Sequence, residues 1–588
     1  MAIVFVEGKA GAGKTTYCFD KIKENMAKGV KSVLVVPEQV SLSFEKMAVE
    51  KLGFLGQTAD VLSFNRLFHR LYNDDREYVS KVGKTILMNR AIASCSSKLT
   101  VYKNCAKIRD FSGQMLKMIT ELKRHSVSKE ELLKACENIE QANVKAKIND
   151  ICIIYEKYNK LVEERGADSD ENLSLLSNLV EKSEKVRETE FFIDSFSAFT
   201  GEELKVISAL ARCAKKVYLT LKMGEGYIFE GIERTKNKTG EFAPFETVEL
   251  KENHKHKGDL LHLMENFPLI TPKVYEENVE NIKIVYSENS VAECENLMMD
   301  ITKKVRDGGY KFKDIGVLAS NMQSYSESLK EGFERYSING YVGEKKSLLT
   351  HPAGNFVLSF LELFIKKFDS VYVMKFLKSG LTPLTFDEIC ILENYVLDVN
   401  IKNMQWFEEF TFKSADYNLE KINKIREKFV ELTGGFVEIF KGRNTSKEYV
   451  DAIKLFMEKT DLKGSIDKLT YSYTKSGRPE IALEYRQVFN SIVSALNQFE
   501  LCLGDETFGT EKLHDMLLNA FNETKISTYP PESDMVICGD SDSLRNNQFK
   551  ILYILGANTG SFPAPVTSAG IIRDNERRIL EKNNIILA

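Results

Sequence analysis

The stretch Ile3-Val4-Phe5-Val6-Glu7-Gly8-Lys9-Ala10-Gly11-Ala12-Gly13-Lys14-Thr15 decides how this chain is read. An uninterrupted apolar run at 3–6 predicts a buried β-strand. Gly8-x-x-x-x-Gly13-Lys14-Thr15 follows it, and residues 15–26 have the spacing of an amphipathic helix. A strand, a glycine-rich turn and a helix in that order make a phosphate-binding loop. The glycines let successive backbone N–H groups turn inward on an anion, and the helix N-terminus adds partial positive charge. Gly8, Lys9, Ala10, Gly11, Ala12, Gly13, Lys14 and Thr15 are the candidate nucleotide-binding residues. Lys14 would reach the terminal phosphates of ATP, and the Thr15 hydroxyl would coordinate Mg²⁺. Kinases, transporters, GTPases and helicases all use such a loop, so the rest of the chain must choose among them.

Working outward, residues 1–75 alternate short apolar runs with helical patterns, as in βαβ units. Residues 76–185 are polar, rich in Lys and Glu, free of proline, and read as helical. Strands are expected at 191–194 and 217–221 around a helix at 202–214, and 223–258 reads as a loop. A second block begins near 280, with strands expected at 282–286, 314–319 and 340–342 and helices at 291–305 and 323–336. Residues 355–530 read as mainly helical, and strand signals return at 535–538 and 549–555. The expected fold is α/β, with two parallel-sheet domains that each carry a large, mainly helical insertion. Expected boundaries are 1–75 with 186–278 for the first domain and 76–185 for its insertion. The second domain is expected at 279–365 with 531–588, and its insertion at 366–530.

The 588 residues include 81 Lys and Arg against 85 Asp and Glu, a formal net charge of −4. That excludes a uniformly basic nucleic-acid coat but permits a local basic groove. With 34 Gly and 11 Pro, the chain is neither collagen-like nor a proline-rich disordered sequence. No apolar run reaches the roughly 18 residues of a membrane span. The N-terminus lacks the basic segment of a signal peptide, so a cytoplasmic protein with no membrane partner is expected. The ten cysteines are scattered, with no two within four residues, which excludes a zinc knuckle and suggests reduced thiols. Of seven histidines, only His254, His256 and His262 cluster, in a polar stretch that reads as surface. Trp406 reads as helix packing.

Further segments carry chemistry. Val33-Leu34-Val35-Val36-Pro37-Glu38-Gln39 and Val61-Leu62-Ser63-Phe64-Asn65-Arg66-Leu67-Phe68 are strand exits. Phe64 has the side chain to stack a base, and Ser63 and Arg66 have the groups to hold phosphates. The competing reading is a short core helix with Phe64 and Phe68 inside. Phe191-Phe192-Ile193-Asp194 ends an apolar strand in a carboxylate suited to Mg²⁺. Ser195 follows, where a hydrolytic motor carries a glutamate to position water. Ile315-Gly316-Val317-Leu318-Ala319-Ser320 resembles the strand that opens the second motor domain of superfamily 1 translocases, where the superfamily often has an arginine to the γ-phosphate and Ser320 stands instead. Tyr553-Ile554-Leu555-Gly556-Ala557-Asn558-Thr559-Gly560-Ser561-Phe562-Pro563 is a strand leading into G-x-x-x-G-x-F-P.

With Glu344-Lys345-Lys346-Ser347-Leu348-Leu349-Thr350-His351-Pro352, these segments are spread from residue 7 to residue 564. Together they resemble the AddB subunit of bacterial AddAB helicase–nucleases, a superfamily 1-like frame. The resemblance implies two RecA-like domains with degenerate motor motifs, ATP and Mg²⁺ as cofactors, and weak or absent motor activity. It implies single- and double-stranded DNA as ligands, an AddA-type helicase–nuclease as heterodimer partner, and a role in recombinational repair scanning for a Chi-type signal. It also implies a C-terminal nuclease domain with an iron–sulfur cluster, and no nuclease motif or cluster-like cysteine spacing occurs here. The chain is expected to be the N-terminal, helicase-like part of a longer protein. Lys123, Arg124 and His125, Lys345 and Lys346, and Arg545 with Asn547 are further candidates for phosphate contact. Two alternatives stand beside this reading: a small-molecule kinase, and a nucleotide-gated scaffold.

Overall fold

The computed structural model describes residues 3–53, 59–72, 76–105, 108, 111–527, 533–545, 547–563, 570–583, 585 and 587. Its first sheet has six parallel strands: β1 (Ile3–Gly8), β2 (Lys31–Val35), β3 (Ala59–Leu62), β4 (Thr189–Ile193), β5 (Lys216–Lys222) and β6 (Phe245–Leu250). Their order is β3-β2-β4-β5-β1-β6. β1 and β4 are buried along their whole length, as strands of a parallel sheet covered on both faces must be. Alternation divides the side chains. Ile3, Phe5, Phe191, Ile193 and Leu219 face one core. Val4, Val6, Phe192 and Tyr218 face another, with Cys18, Phe19 and Ile22 of α1 (Lys14–Ala27).

Two local expectations fail. The segment read as a loop at 223–258 contains the helix Glu230–Gly240 and β6. β6 is an edge strand whose exposed glutamates hid its alternation. Conversely, 282–286 pairs with no strand among the described residues, and Ile284, Val285 and Tyr286 are exposed. An alternating pattern specifies an extended segment, but a ladder also requires a neighbour in register.

The second sheet is parallel and four-stranded: β7 (Ile315–Ala319), β8 (Gly340–Val342), β9 (Val536–Gly539) and β10 (Ile551–Leu555), in the order β10-β7-β9-β8. Leu297, Met298 and Ile301 of the helix Ser290–Gly308 pack on it. The two sheets are thus interrupted by helical segments, and these segments do not stay separate. α3 (Lys81–Cys95), from the first, lies against α4 (Pro479–Leu503) and α5 (Thr510–Glu523), from the second. One continuous apolar core runs through both. The polar seam is also joined: Gln498 Oε1 accepts from the Ser80 N–H at 2.8 Å, and Arg90 pairs with Glu506 at 2.8 Å. Near the end of the chain, α6 (Asp574–Lys582) pairs Glu576 with Lys147 at 2.7 Å.

The helix contact depends on Gly83. A Cβ there would run into Gln498 Oε1 and lie 2.9 Å from Cys502 Sγ. Gly83→Leu should therefore wedge α3 from α4 and cost about 1–3 kcal/mol of stability. A lowered midpoint in urea or thermal unfolding, absent in the control Gly113→Leu, where an added Cβ meets nothing within 4 Å, checks this.

Candidate nucleotide site

The carboxyl ends of β1, β4 and β5 meet at one edge of the first sheet. Register pairs Gly8 with Lys222 and Ile193 with Leu219. Between β1 and α1 the loop turns through Gly11 at φ 82° and Gly13 at φ 84°, a region that favours glycine. Gly8 is also required small: a Cβ would sit 2.8 Å from Leu250 O. All eight predicted loop residues therefore lie together at the sheet edge.

Lys14 folds back over the loop, donating to Gly8 O at 2.7 Å and Lys9 O at 2.8 Å. Burial lowers its pKa to about 8; Asp194 opposes that shift and Lys222 adds to it. Thr15 Oγ1 donates to Asp194 Oδ2 at 2.7 Å. The second Asp194 oxygen accepts from Thr220 Oγ1 at 2.6 Å and from the Ser195 N–H at 2.8 Å. Thr15 and Asp194, far apart in sequence, thus present adjacent hard oxygens. That is the donor set Mg²⁺ uses when phosphate oxygens and water complete its shell. Ser195 sits at φ 67°, an uncommon conformation for a non-glycine residue and a mark of local strain.

Two groups were not foreseen. Thr220 anchors Asp194. Lys222, exposed at the end of β5, has its ammonium disfavoured first by desolvation and then by Arg545. Arg545 comes from the second parallel-sheet domain and reaches Ser197 Oγ at 3.4 Å. The signal for Lys222 was available: a lysine closing an apolar strand beside the loop-bearing strand.

The predicted DNA-facing residues divide. Ser63 is buried, caps α2 (Phe64–Leu71) by accepting from the Arg66 N–H at 3.2 Å, and donates to Glu38. Phe64 is buried, with its ring 5.5 Å from that of Phe196. Arg66 is exposed and pairs with Glu45 at 2.5 Å. Lys123 is enclosed by Asp168 at 2.6 Å and Glu171 at 3.2 Å, and Lys346 is held by Glu484 at 2.8 Å. Trp406 is fully buried. His262 Nε2 donates to Lys273 O at 2.9 Å, and the His254 N–H donates to Gly11 O at 3.0 Å, so that polar stretch covers the loop. No group of three or more His, Cys, Asp or Glu able to hold a metal occurs among the described residues. No helix among them is long and apolar enough to cross a membrane.

Known proteins match the whole of this frame. A family model described as ADDB, N-terminal matches residues 5–257. The UvrD-like helicase C-terminal domain model matches residues 248–546. The B subunit of the ATP-dependent helicase/deoxyribonuclease of Clostridium botulinum (strain Loch Maree / Type A3) is 30% identical over 629 aligned positions, covering 100% of this chain and 55% of the relative. The protein of the same name from Ruminiclostridium cellulolyticum is 30% identical over 632, with the same coverage. That from Clostridium novyi (strain NT) is 29% identical over 612, covering 100% of this chain and 54% of the relative. The chain spans about half the length of these relatives. With its loop-bearing parallel sheet matched by the ADDB, N-terminal model, the chain is similar over its whole length to helicase/deoxyribonuclease B subunits, and it belongs to the family of proteins with a UvrD-like helicase C-terminal domain.

Proposed function

We propose that this chain binds ATP–Mg²⁺ and DNA as the helicase-like B subunit of a double-strand-break-processing helicase–nuclease, working beside an AddA-type motor subunit. One observation carries the reading. The binding half of a nucleotide site is intact, while the hydrolytic half is not. Lys14, Thr15 and Asp194 converge within hydrogen-bond reach of the loop, yet Ser195 offers no carboxylate to activate water. Thr15 and Asp194 would hold Mg²⁺, and the loop N–H groups and Lys14 would hold the phosphates. The metal would supply charge neutralisation at the phosphates. Ser195 leaves hydrolysis slow, so bound nucleotide acts to organise the subunit rather than to drive translocation. Arg66, exposed at the end of the strand-exit segment, is the side chain with the reach to hold DNA phosphate, and buried Phe64 and Ser63 shape the element that presents it. Scanning an unwound strand for a Chi-type signal, in the cytoplasm, is the role that fits a subunit that tracks DNA without driving it. An iron–sulfur cluster belongs, on this reading, to sequence beyond the residues present here.

Nucleotide binding and turnover should be measured for wild type and Lys14→Ala, with and without single-stranded DNA. Wild type should bind ATP with turnover that DNA barely stimulates, and Lys14→Ala should lose binding by about a hundredfold or more, in line with losing a desolvated charge contact. Strong DNA-stimulated turnover would overturn the weakened-motor reading, and phosphorylation of a small acceptor would favour a kinase.

Affinity should also depend on pH through Lys14. Its free ammonium titrates near 8. Phosphate stabilises the ammonium and raises that pKa on binding, so the protonated form binds tighter. ATP affinity should be flat below pH 8 and fall above it, by up to about tenfold per pH unit. Titration calorimetry between pH 6.5 and 9.5 reads this directly, and Lys14→Arg should remove the dependence.

A further inference from the structure

Where the two insertions meet, a groove of about 520 Å³ opens between the start of α3, one face of α4 and the residues that follow α5. Buried Val82 and Ala495 form its apolar part. Its charged lining is Lys81, Arg486 and Lys525 against one carboxylate, Glu523. Lys81 takes up that carboxylate, pairing with it at 2.9 Å. Arg486 and Lys525 are exposed and have no carboxylate partner among the described residues. The groove is thus cationic in a chain whose net charge is −4, and a concave surface of one sign concentrates the opposite sign.

The polar groups of the groove divide. Gln487 donates to Leu483 O at 3.2 Å, Ser491 to Gln487 O at 2.9 Å and Thr524 to Ala520 O at 2.9 Å, so these three are committed to their own helices. The side chains of Arg486, Asn490 and Ser494 have no hydrogen-bond or ion-pair partner among the described residues. Each stands four residues from the next, so they form a row along one face of α4 at intervals of about 6 Å. A guanidinium, an amide and a hydroxyl are the donors that proteins use on phosphate oxygens. Their spacing is close to that of successive phosphates along an extended single strand. Lys81 and Lys525 flank the row from the other two walls. Lys525 is held there: its ammonium donates to Asn522 O at 2.8 Å, and it opens the strand Lys525–Ser527, antiparallel to Lys345–Ser347.

We propose that this groove binds phosphate groups across the seam of the two insertions, those of a DNA strand or of a free polyphosphate. The strand as source rests on the DNA reading above; the free polyphosphate does not. The full chain should be titrated with a short labelled oligothymidylate and, in a Lys14→Ala background that removes the loop's own phosphate contact, with pyrophosphate. Arg486→Glu and Asn490→Asp are the test variants, both at exposed positions that the fold does not depend on. Lys463→Glu, at an exposed lysine outside the groove, makes the same change of charge as a control. Arg486→Glu should weaken oligothymidylate binding by about tenfold or more and lower the slope of log affinity against log salt by about one or more, while Lys463→Glu stays within about twofold. Asn490→Asp should act in the same direction. Pyrophosphate should bind the Lys14→Ala chain and be lost when Arg486→Glu is added. A loss confined to oligothymidylate identifies a strand as the occupant, a loss confined to pyrophosphate identifies a free polyphosphate, and a loss of both sustains the shared chemistry. Affinities for both ligands untouched by Arg486→Glu, or an equal loss with Lys463→Glu, would overturn the proposal. If wild type binds no oligothymidylate, the DNA reading falls by itself and pyrophosphate decides the groove: binding that Arg486→Glu abolishes sustains it, and no binding overturns it.

Discussion

The buried carboxylate of Asp194 is the constraint around which the site is built. A charge 2% exposed is tolerated only where donors surround it. Here they come from three elements: Thr15 at the start of α1, Thr220 on β5 and the backbone of Ser195 after β4. Those bonds hold the loop, the central strand and its neighbour in one geometry. Removing any donor leaves the carboxylate short of partners, so the site's shape and its chemistry have a common cause.

The joined insertions act on a different scale. A translocating motor closes and opens the cleft between its two sheets in each cycle. Here α3 and α4 share one apolar core and approach closely at Gly83. Half-buried ion pairs, Lys147 with Glu576 and Arg577 with Glu121, tie α6 to the helices of the first insertion. Ion pairs near the surface contribute little by themselves. The apolar core supplies the resistance to relative motion, and the ion pairs fix its register.

Much of this was legible in the sequence where the cause is local. The loop was, because only glycine serves at Gly11 and Gly13. Asp194 was, because a carboxylate closing a buried strand has few other uses. What depends on distant partners was not. Each insertion helix displays an apolar stripe, but periodicity does not name the helix it meets. β6 hid because an edge strand exposes a charged face. The pattern at 282–286 promised a strand that has no ladder partner among the described residues. Phe64 admitted two readings, and its burial against Phe196 puts it with the core.

Charge shows how little the global average matters at this edge. The chain is acidic by four charges, yet Lys222 lies near enough to Lys14 to disfavour its ammonium, and Arg545 does the same to Lys222. Cations disfavour each other's charged forms, so gathering them raises the energy of the empty site. A bound polyphosphate would relieve that repulsion, and part of its binding energy comes from the relief. Arg545 belongs to the second parallel-sheet domain, so the cations that meet at this edge come from both sheets.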